Sequence, residues 1–339
     1  MGPRGPAAVV LALIILAAAG CSAGGTKPPS GLLAPAPSSV APAGTLTESP
    51  AAPRPKVLVA ITTAGSVQSL DPATGASVST LATGATGDEI SVAPDGSNVY
   101  FEAATGCFHL IMSVPLSGRP ASAVAPGSHP TVSPDGTRLA YTIEPLGAGC
   151  PTGPKPADQF FVAVRTLADG ATTFYPLTPA QVAGGEPLPI DHVSWAPDNR
   201  HLAVSIDGGP ANTQWNVSLM DSASDHYYAP PADGGVPVDR AGGYYYSEAV
   251  FLPNGNLFVN LMCCAGKKTT SSVLAEVDPA SGRTVHRVSV GLTDRDHTSL
   301  DADAGGHWLL YLAGSDLVAS LDNATPTIVS TAGFQAADW

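Results

Sequence analysis

A short phrase recurs four times along this chain and constrains its fold more than any other feature. It reads SVAPDGSNVYF at 91–101, TVSPDGTRLAY at 131–141, SWAPDNRHLAV at 194–204 and VFLPNGNLFVN at 250–260. In each copy, a Pro followed by Asp or Asn and then Gly or Asn stands before an apolar segment. These residues predict a turn, because Pro presets φ and the Asp, Asn and Gly that follow tolerate the turn conformation. Each copy is predicted to be a β-hairpin, and its return at intervals of tens of residues is typical of a radial or stacked repeat fold.

The phrase resembles the repeat of TolB-like β-propellers, within the wider WD-type superfamily. The resemblance implies that each turn joins strands a and b of a blade, with strands c and d following. A fifth, degenerate copy is DHTSLDADAGGHWLLYL at 296–312. The segment 333–339 is predicted to be a strand a without a strand b, and 56–62 a strand b without a strand a. We therefore predict an all-β, six-bladed propeller over residues 56–339, closed by one blade that both ends of the sequence share, which removes exposed sheet edges. A β-sandwich is the alternative, and the regular return of the turn disfavours it.

The first 20 residues are predicted to be a lipoprotein-type signal peptide. Arg4 precedes an apolar run at 7–19 that is short for a membrane span, and the run ends in the motif AAGC at 18–21. Small residues before a cysteine resemble a bacterial lipoprotein box. That resemblance implies that Cys21 is lipidated and that the protein is extracytoplasmic, anchored to the bacterial cell membrane. An ordinary secretory signal with a chance cysteine is the alternative.

The composition changes after Cys21. Residues 22–55 are nearly all Gly, Ser, Thr, Pro and Ala, so they cannot bury a core and are predicted to be a disordered tether. A glycosylated stalk is compatible with the same composition. The predicted organisation is thus a signal peptide at 1–20, a lipidated cysteine with its tether at 21–55, and a propeller at 56–339. The net charge of −13 excludes a nucleic-acid partner.

Four further cysteines are candidates for disulfides: Cys107, Cys150, Cys263 and Cys264. The first two follow strand b of neighbouring blades, and an exported chain meets an oxidising environment, so we predict that they pair. The adjacent pair could form a vicinal disulfide, a thiol pair or a soft metal site. A structural clip is favoured over a redox role because no Cys-x-x-Cys motif is present.

Ionisable residues recur at one position when the blades are aligned on the turn proline. Glu89, His129, His192 and Glu248 each stand five residues before a turn proline, and matching DHTS at 296–299 to DHVS at 191–194 adds His297. Strand a lines the central channel of propellers, so these side chains are expected to converge at one channel mouth. Imidazoles and carboxylates suit a divalent metal such as Zn or Mn, held by the three histidines. A metal-free site for a polar ligand and a merely solvated rim are the alternatives.

The long connections are predicted to lie on one face. They fall between strands b and c or between strands d and a, at 144–158, 178–190, 206–213, 230–245 and 263–270. Functional residues concentrate on loops held by a rigid scaffold, so an envelope protein or a small polar ligand is expected to bind this decorated face.

Two functions follow from these features. The first is a non-enzymatic, membrane-tethered binding or interaction module in the cell envelope, as the resemblance to the propeller of TolB implies. The second is a metal-dependent hydrolase or lyase with its His and Glu residues at the channel mouth. Neither a Gly-x-Ser-x-Gly elbow, a Walker loop nor a dinucleotide fingerprint is present in the sequence.

Overall fold

β-strands account for all the regular structure in the described part of a computed structural model of the chain. The described residues are 53–106, 108–143, 160–176, 190–206, 216–224, 227–228, 244–263, 271–288, 297–321 and 326–339. Within them, no helix is long and apolar enough to cross a membrane. The strands form six antiparallel sheets of four strands each, which confirms the predicted six-bladed propeller.

The first three blades follow one another along the chain. Blade 1 consists of β4 (Ala85–Val92), β5 (Asn98–Thr105), β6 (Phe108–Pro115) and β7 (Ser122–Pro126). Blade 2 consists of β8 (Ser128–Val132), β9 (Arg138–Ile143), β10 (Phe161–Thr166) and β11 (Thr172–Pro176). Blade 3 consists of β12 (Ile190–Trp195), β13 (His201–Ile206), β14 (Asn216–Asp221) and β15 (Tyr227–Tyr228).

The remaining blades complete the ring. Blade 4 consists of β16 (Tyr244–Phe251), β17 (Leu257–Cys263), β18 (Ser271–Val277) and β19 (Thr284–Val288). Blade 5 consists of β20 (His297–Ala302), β21 (Trp308–Ala313), β22 (Asp316–Leu321) and β23 (Thr327–Ser330). Blade 6 consists of β24 (Phe334–Asp338), β1 (Val59–Thr62), β2 (Ser66–Leu70) and β3 (Ser77–Thr83).

Blade 6 closes the ring with strands from both ends of the described chain, as the sequence predicted. β24 pairs antiparallel with β1, and Val59 lies opposite Asp338 in the register. Apolar packing reinforces the closure, because Leu58 and Phe334 of blade 6 share a buried cluster with Trp308 of blade 5. The closing strand therefore contributes to the core between two blades as well as to its own sheet.

The a–b turns have the chemistry that the repeated phrase predicted. In blade 1 the N–H of Ala93 donates to the carbonyl of Asn98 at 2.8 Å, and Gly96 adopts a φ of 69°. Asn199 takes the equivalent place in blade 3 with a φ of 56°, which Asn tolerates better than most residues. In blade 5 the N–H of Asp303 donates to the carbonyl of Trp308 at 2.9 Å. Ala304 therefore occupies the place of the turn proline in that degenerate copy.

Several predictions fall on residues outside the described ranges. The signal peptide and residues 21–52 lie there, as do Cys107, Cys150, Cys264 and nearly all of the five long connections. Cys263 ends β17, but its side chain is not described. The Cys107–Cys150 disulfide and the lipid anchor stay predictions.

Candidate ligand site in the central channel

The channel-facing strand of each blade departs from regular pairing at nearly the same place. In blades 1 to 5 the register of strand a shifts within the residue pairs Ala85/Ile90, Ser128/Thr131, Ile190/His192, Tyr246/Glu248 and Thr298/Asp301. Such bulges bend a strand and re-aim its side chains, and they are frequent beside functional sites. In blade 2 the bulge holds His129 at a φ of 52°. The bulges were not foreseen from the sequence, and they place the ionisable residues at the channel.

Four of the predicted residues meet in what we call the inner cluster: Glu89, His129, His192 and Glu248. Nδ1 of His192 is hydrogen-bonded to Oε1 of Glu89, and Nδ1 of His129 lies 3.5 Å from the same oxygen. Nδ1 of His192 also lies 3.8 Å from Oε1 of Glu248. That carboxylate oxygen accepts the backbone N–H of Leu300 at 2.6 Å. The inner cluster therefore joins side chains from four blades.

Three of the four members of the inner cluster are buried and the side chain of His129 is 13% exposed, which is not what a solvated rim would show. Glu89 and His192 are each 9% exposed, and Glu248 is 8% exposed. Charged side chains are seldom buried to this extent unless they are paired. The contacts between His192 and the two glutamates supply that pairing.

Burial and mutual charge set the protonation of the inner cluster. Burial alone would raise the pKa of Glu89, but the charges of His192 and His129 lower it to about 2. Burial alone would lower the pKa of His192, but the charge of Glu89 and its hydrogen bond raise it to about 9. Glu89 and His192 are thus an ion pair at neutral pH. Burial raises the pKa of Glu248 to about 7, against the lowering effect of the His192 charge.

His297 does not hold the position that the sequence assigned to it. Counting five residues back from Ala304, the residue in place of the turn proline, leads to Ser299. Ser299 has a φ of 53°, and it lies in a bulge like that of His129. His297 begins β20 two residues earlier, and its side chain is not described. The match between DHTS and DHVS gave the wrong register, because His297 stands seven residues before Ala304 whereas His192 stands five before Pro197.

A second layer of mostly polar residues, which the sequence analysis missed, lies two residues nearer the turns. Its members are the residues three positions before the turn prolines or before Ala304, with Asp338 in the matching place on β24: Ser91, Thr131, Ser194, Val250, Asp301 and Asp338. Val250 is the apolar exception. Oγ of Ser91 accepts the N–H of Val132 at 3.1 Å, and Oγ of Ser194 accepts the N–H of Phe251 at 3.0 Å. Each oxygen thereby links its blade to the next. The signal in the sequence was the small polar residue three positions before the proline.

A cavity of about 770 Å³ extends from the inner cluster, past the second layer, to the turn prolines. Its acidic lining residues among those described are Glu89, Asp95, Asp301, Asp303 and Asp338, against Lys56 and His192 as basic ones. Because the turn prolines line its outer end, the cavity faces the a–b turns. The cavity therefore opens on the face opposite the one for which the sequence analysis predicted the long connections and the binding site.

The inner cluster supplies an incomplete set of metal ligands. Over the described ranges, no three His, Cys, Asp or Glu side chains are placed to hold a metal ion. Nδ1 of His192 is engaged with Glu89, whereas its Nε2 is buried and has no hydrogen-bond partner in the described part of the chain. A metal held by His129, His192 and His297 stays a prediction.

Comparison with known proteins supports the architecture. No family model and no curated protein matches the chain. TolB from Acinetobacter baumannii superposes with a TM-score of 0.56 at 12% identity, over 84% of this chain and 65% of TolB, so the chain spans just under two thirds of that protein. A chain from a nidogen/laminin complex gives 0.56 at 10% identity, covering 83% of this chain and 97% of that one. A gluconolactonase from Xanthomonas campestris gives 0.51 at 14% identity, covering 75% and 78%. At these identities the likeness concerns the fold: the chain is a six-bladed β-propeller with TolB among its structural neighbours.

Proposed function

We propose that the protein is a membrane-tethered, extracytoplasmic binding protein whose channel cavity holds a small polar ligand. The cavity itself carries the proposal, because a volume of about 770 Å³ lies within the range of small-molecule sites. Its wall combines apolar surface from Trp195, Phe251 and Trp339 with carboxyl groups at two depths. An apolar wall with a few placed polar groups is the usual composition of a ligand pocket.

A binding role is favoured over catalysis because the channel carboxylates already serve the scaffold. Glu248 accepts the N–H of Leu300, and Asp338 accepts the N–H of Val92 at 2.6 Å, each across a blade boundary. The ion pair of Glu89 with His192 likewise crosses the channel. One structural neighbour is a chain from a nidogen/laminin complex. By analogy at the level of the fold, we assign contact with an envelope protein to the decorated face.

A thermal-shift screen tests the proposal. Full-length protein extracted from membranes would be heated with neutral, anionic and cationic small molecules, and each stabilising compound would then be recovered for mass spectrometry. We expect at least one class to raise the melting temperature, because a ligand that binds only the folded state stabilises it. We also expect that ligand to be recovered unchanged. Stabilisation by no class would contradict the proposal, and a chemically altered ligand would favour an enzyme.

A metal-dependent hydrolase or lyase is the second candidate. Glu248 favours it, because a carboxyl group whose pKa is raised to about 7 is suited to proton transfer at neutral pH. If a metal binds, His129 and His192 would supply nitrogen ligands and the ion would polarise a substrate oxygen.

Metal analysis of the purified protein separates the two candidates. We expect no stoichiometric metal, because no three described His, Cys, Asp or Glu side chains are arranged around one point, and because the pKa of His192, raised to about 9, keeps Nε2 protonated at neutral pH. One equivalent of Zn or Mn that disappears in the His129→Ala, His192→Ala double variant would overturn this expectation. His201→Ala, which removes a half-buried histidine outside the channel cavity, is the matched control.

The membrane tether makes a separate prediction. Cys21→Ser removes the thiol that the lipid would occupy, and lipidation is what would hold this chain at a membrane. We expect the variant in the soluble fraction of lysed cells while the parent protein sediments with membranes. Ser22→Ala, next to the cysteine, should leave the parent distribution unchanged. Retention of Cys21→Ser in the membrane fraction would contradict the anchor.

A further inference from the structure

Asp301 and Asp338 form an acidic pair in the wall of the channel cavity. They come from neighbouring blades 5 and 6, and both carboxyl groups converge on one backbone amide: the N–H of Trp339 lies 3.1 Å from Oδ2 of Asp301 and 2.7 Å from Oδ1 of Asp338. Oδ2 of Asp338 also accepts the N–H of Val92. Each of these contacts is with a backbone amide. Among the described contacts, no positively charged side chain neutralises the pair.

Without a positive neighbour among the described contacts, the two carboxyl groups keep a proton more readily than ordinary aspartates. Burial raises the pKa of Asp301 well above its ordinary value, and the charge of Asp338 raises it further. Burial also raises the pKa of Asp338. Two carboxyl groups in one site repel each other when both are ionised, so a proton shared between them neutralises one charge. A cationic ligand can take the place of that proton.

An independent observation comes from the inner end of the same cavity. Nε2 of His192 is buried and has no hydrogen-bond partner in the described part of the chain, although His192 lines the cavity. Because Nδ1 is hydrogen-bonded to Glu89, the N–H of Nε2 is a buried donor that needs an oxygen acceptor. Glu89 and Glu248 both lie near Nδ1 of the same ring, so a neutral acceptor such as a hydroxyl group suits Nε2 better than a third carboxylate.

We propose that the cavity binds a small hydroxylated primary amine, such as an amino sugar. Its ammonium group lies between Asp301 and Asp338, and a hydroxyl oxygen accepts a hydrogen bond from Nε2 of His192. Its carbon frame packs between Trp195, Phe251 and Trp339, which line the same space. This inference rests on the proposed function, in which the cavity is the ligand site.

The geometry favours an organic amine over a bare metal ion. An ammonium group offers three donors to the two carboxyl groups, whereas hard cations such as calcium take six or more oxygen ligands. No described group of three His, Cys, Asp or Glu side chains is arranged for a metal. A cavity of about 770 Å³ also leaves far more room than one ion needs.

Matched ligands test the need for the ammonium group. Full-length protein would be titrated calorimetrically with glucosamine, glucose and N-acetylglucosamine, and with ethanolamine against ethylene glycol. We expect at least one of the two amines to bind, and its amine-free or acylated partner to bind about 10- to 100-fold more weakly, the usual worth of a charged hydrogen bond. Asp301→Asn and Asp338→Asn should weaken amine binding by a similar factor. Asp95→Asn, which removes an equal charge at the cavity rim, should change affinity by no more than about twofold.

Each remaining outcome overturns the inference in a recognisable way. Equal binding of glucose and glucosamine would show that the hydroxyl groups alone are read, and the proposed function would stand. Unchanged amine affinity in both Asp variants would place the amine elsewhere. Binding of Ca²⁺ or Zn²⁺ that is lost in those variants would make the pair a metal site. Binding of neither amine would also overturn it, and the proposed function would fail only if no compound of the wider screen bound. Asp→Asn removes one of the two neighbouring carboxyl groups and keeps an acceptor oxygen, so we expect the melting temperature of each variant at or above the parent value, which would show that it is folded.

Discussion

Ending the chain at Gly333 is expected to abolish cooperative folding of the propeller. The truncation removes β24, which supplies the channel-facing strand of blade 6 and pairs with β1. It exposes the apolar surface that buries Phe334, which is 2% exposed. It also deletes the Asp338 carboxylate that holds blade 1 through the N–H of Val92.

The expected loss is comparable with the whole stability of a domain. Buried apolar side chains contribute about 1.5–3 kcal/mol each and hydrogen bonds about 0.5–1.5 kcal/mol each, against a typical total of about 5–15 kcal/mol. Circular dichroism on heating should show no sharp transition, and limited proteolysis should degrade the truncated chain. Phe334→Leu, which keeps the closing strand, should cost less than about 1.5 kcal/mol. A sharp transition near the parent melting temperature in the truncated protein would contradict this role of β24.

The fold was largely predictable because its repeat is anchored by turn chemistry. A Pro followed by Asp or Asn and Gly can be located in the sequence without reference to the strands, and the strands on either side follow from it. The shared blade was predictable for a related reason, since an unpaired strand a at 333–339 and an unpaired strand b at 56–62 satisfy each other.

The candidate site was only partly predictable. Glu89, His129, His192 and Glu248 were found because their distance to the turn proline fixes their place on strand a. Ser299 was missed because DHTS at 296–299 resembles DHVS at 191–194, although it lies two residues further from its turn. The pairing of Asp301 with Asp338 depends on contacts between neighbouring blades, and no pattern within one repeat reports such contacts.

Replacing either partner of the buried Glu89–His192 ion pair is expected to destabilise the protein strongly. Glu89→Ala and His192→Ala should each cost about 3–5 kcal/mol, because each leaves an uncompensated buried charge or forces its neutralisation. The double variant should lose clearly less than the sum of the two, since the second change removes a group that the first had already left unpaired. Urea unfolding of the four proteins at neutral pH measures this coupling. Additive losses would contradict a direct ion pair.

The same ion pair predicts how stability depends on pH. The pKa of His192 is raised from 6.5 to about 9 on folding, so its contribution is complete below pH 6.5 and is lost as the pH rises to about 9. The pKa of Glu89 is lowered from 4.5 to about 2, so its contribution is complete above pH 4.5 and is lost as the pH falls. The raised pKa of Glu248, about 7, adds a loss between pH 4.5 and 7, because the folded state resists its ionisation.

Stability should therefore be greatest in mildly acidic solution and should fall by on the order of 3 kcal/mol between pH 6.5 and about 9. In His192→Ala most of that alkaline loss should disappear, whereas the acidic loss below pH 4.5 should shrink because Glu89 has lost its main partner. His201→Ala is the matched control, since His201 pairs with Asp198 at 2.5 Å on the surface, where ion pairs contribute about 0–1 kcal/mol. That variant should retain the parent profile. If His192→Ala kept the full alkaline loss, His192 would not be the group whose proton the folded channel holds, and the ion pair at the centre of the inner cluster would be refuted.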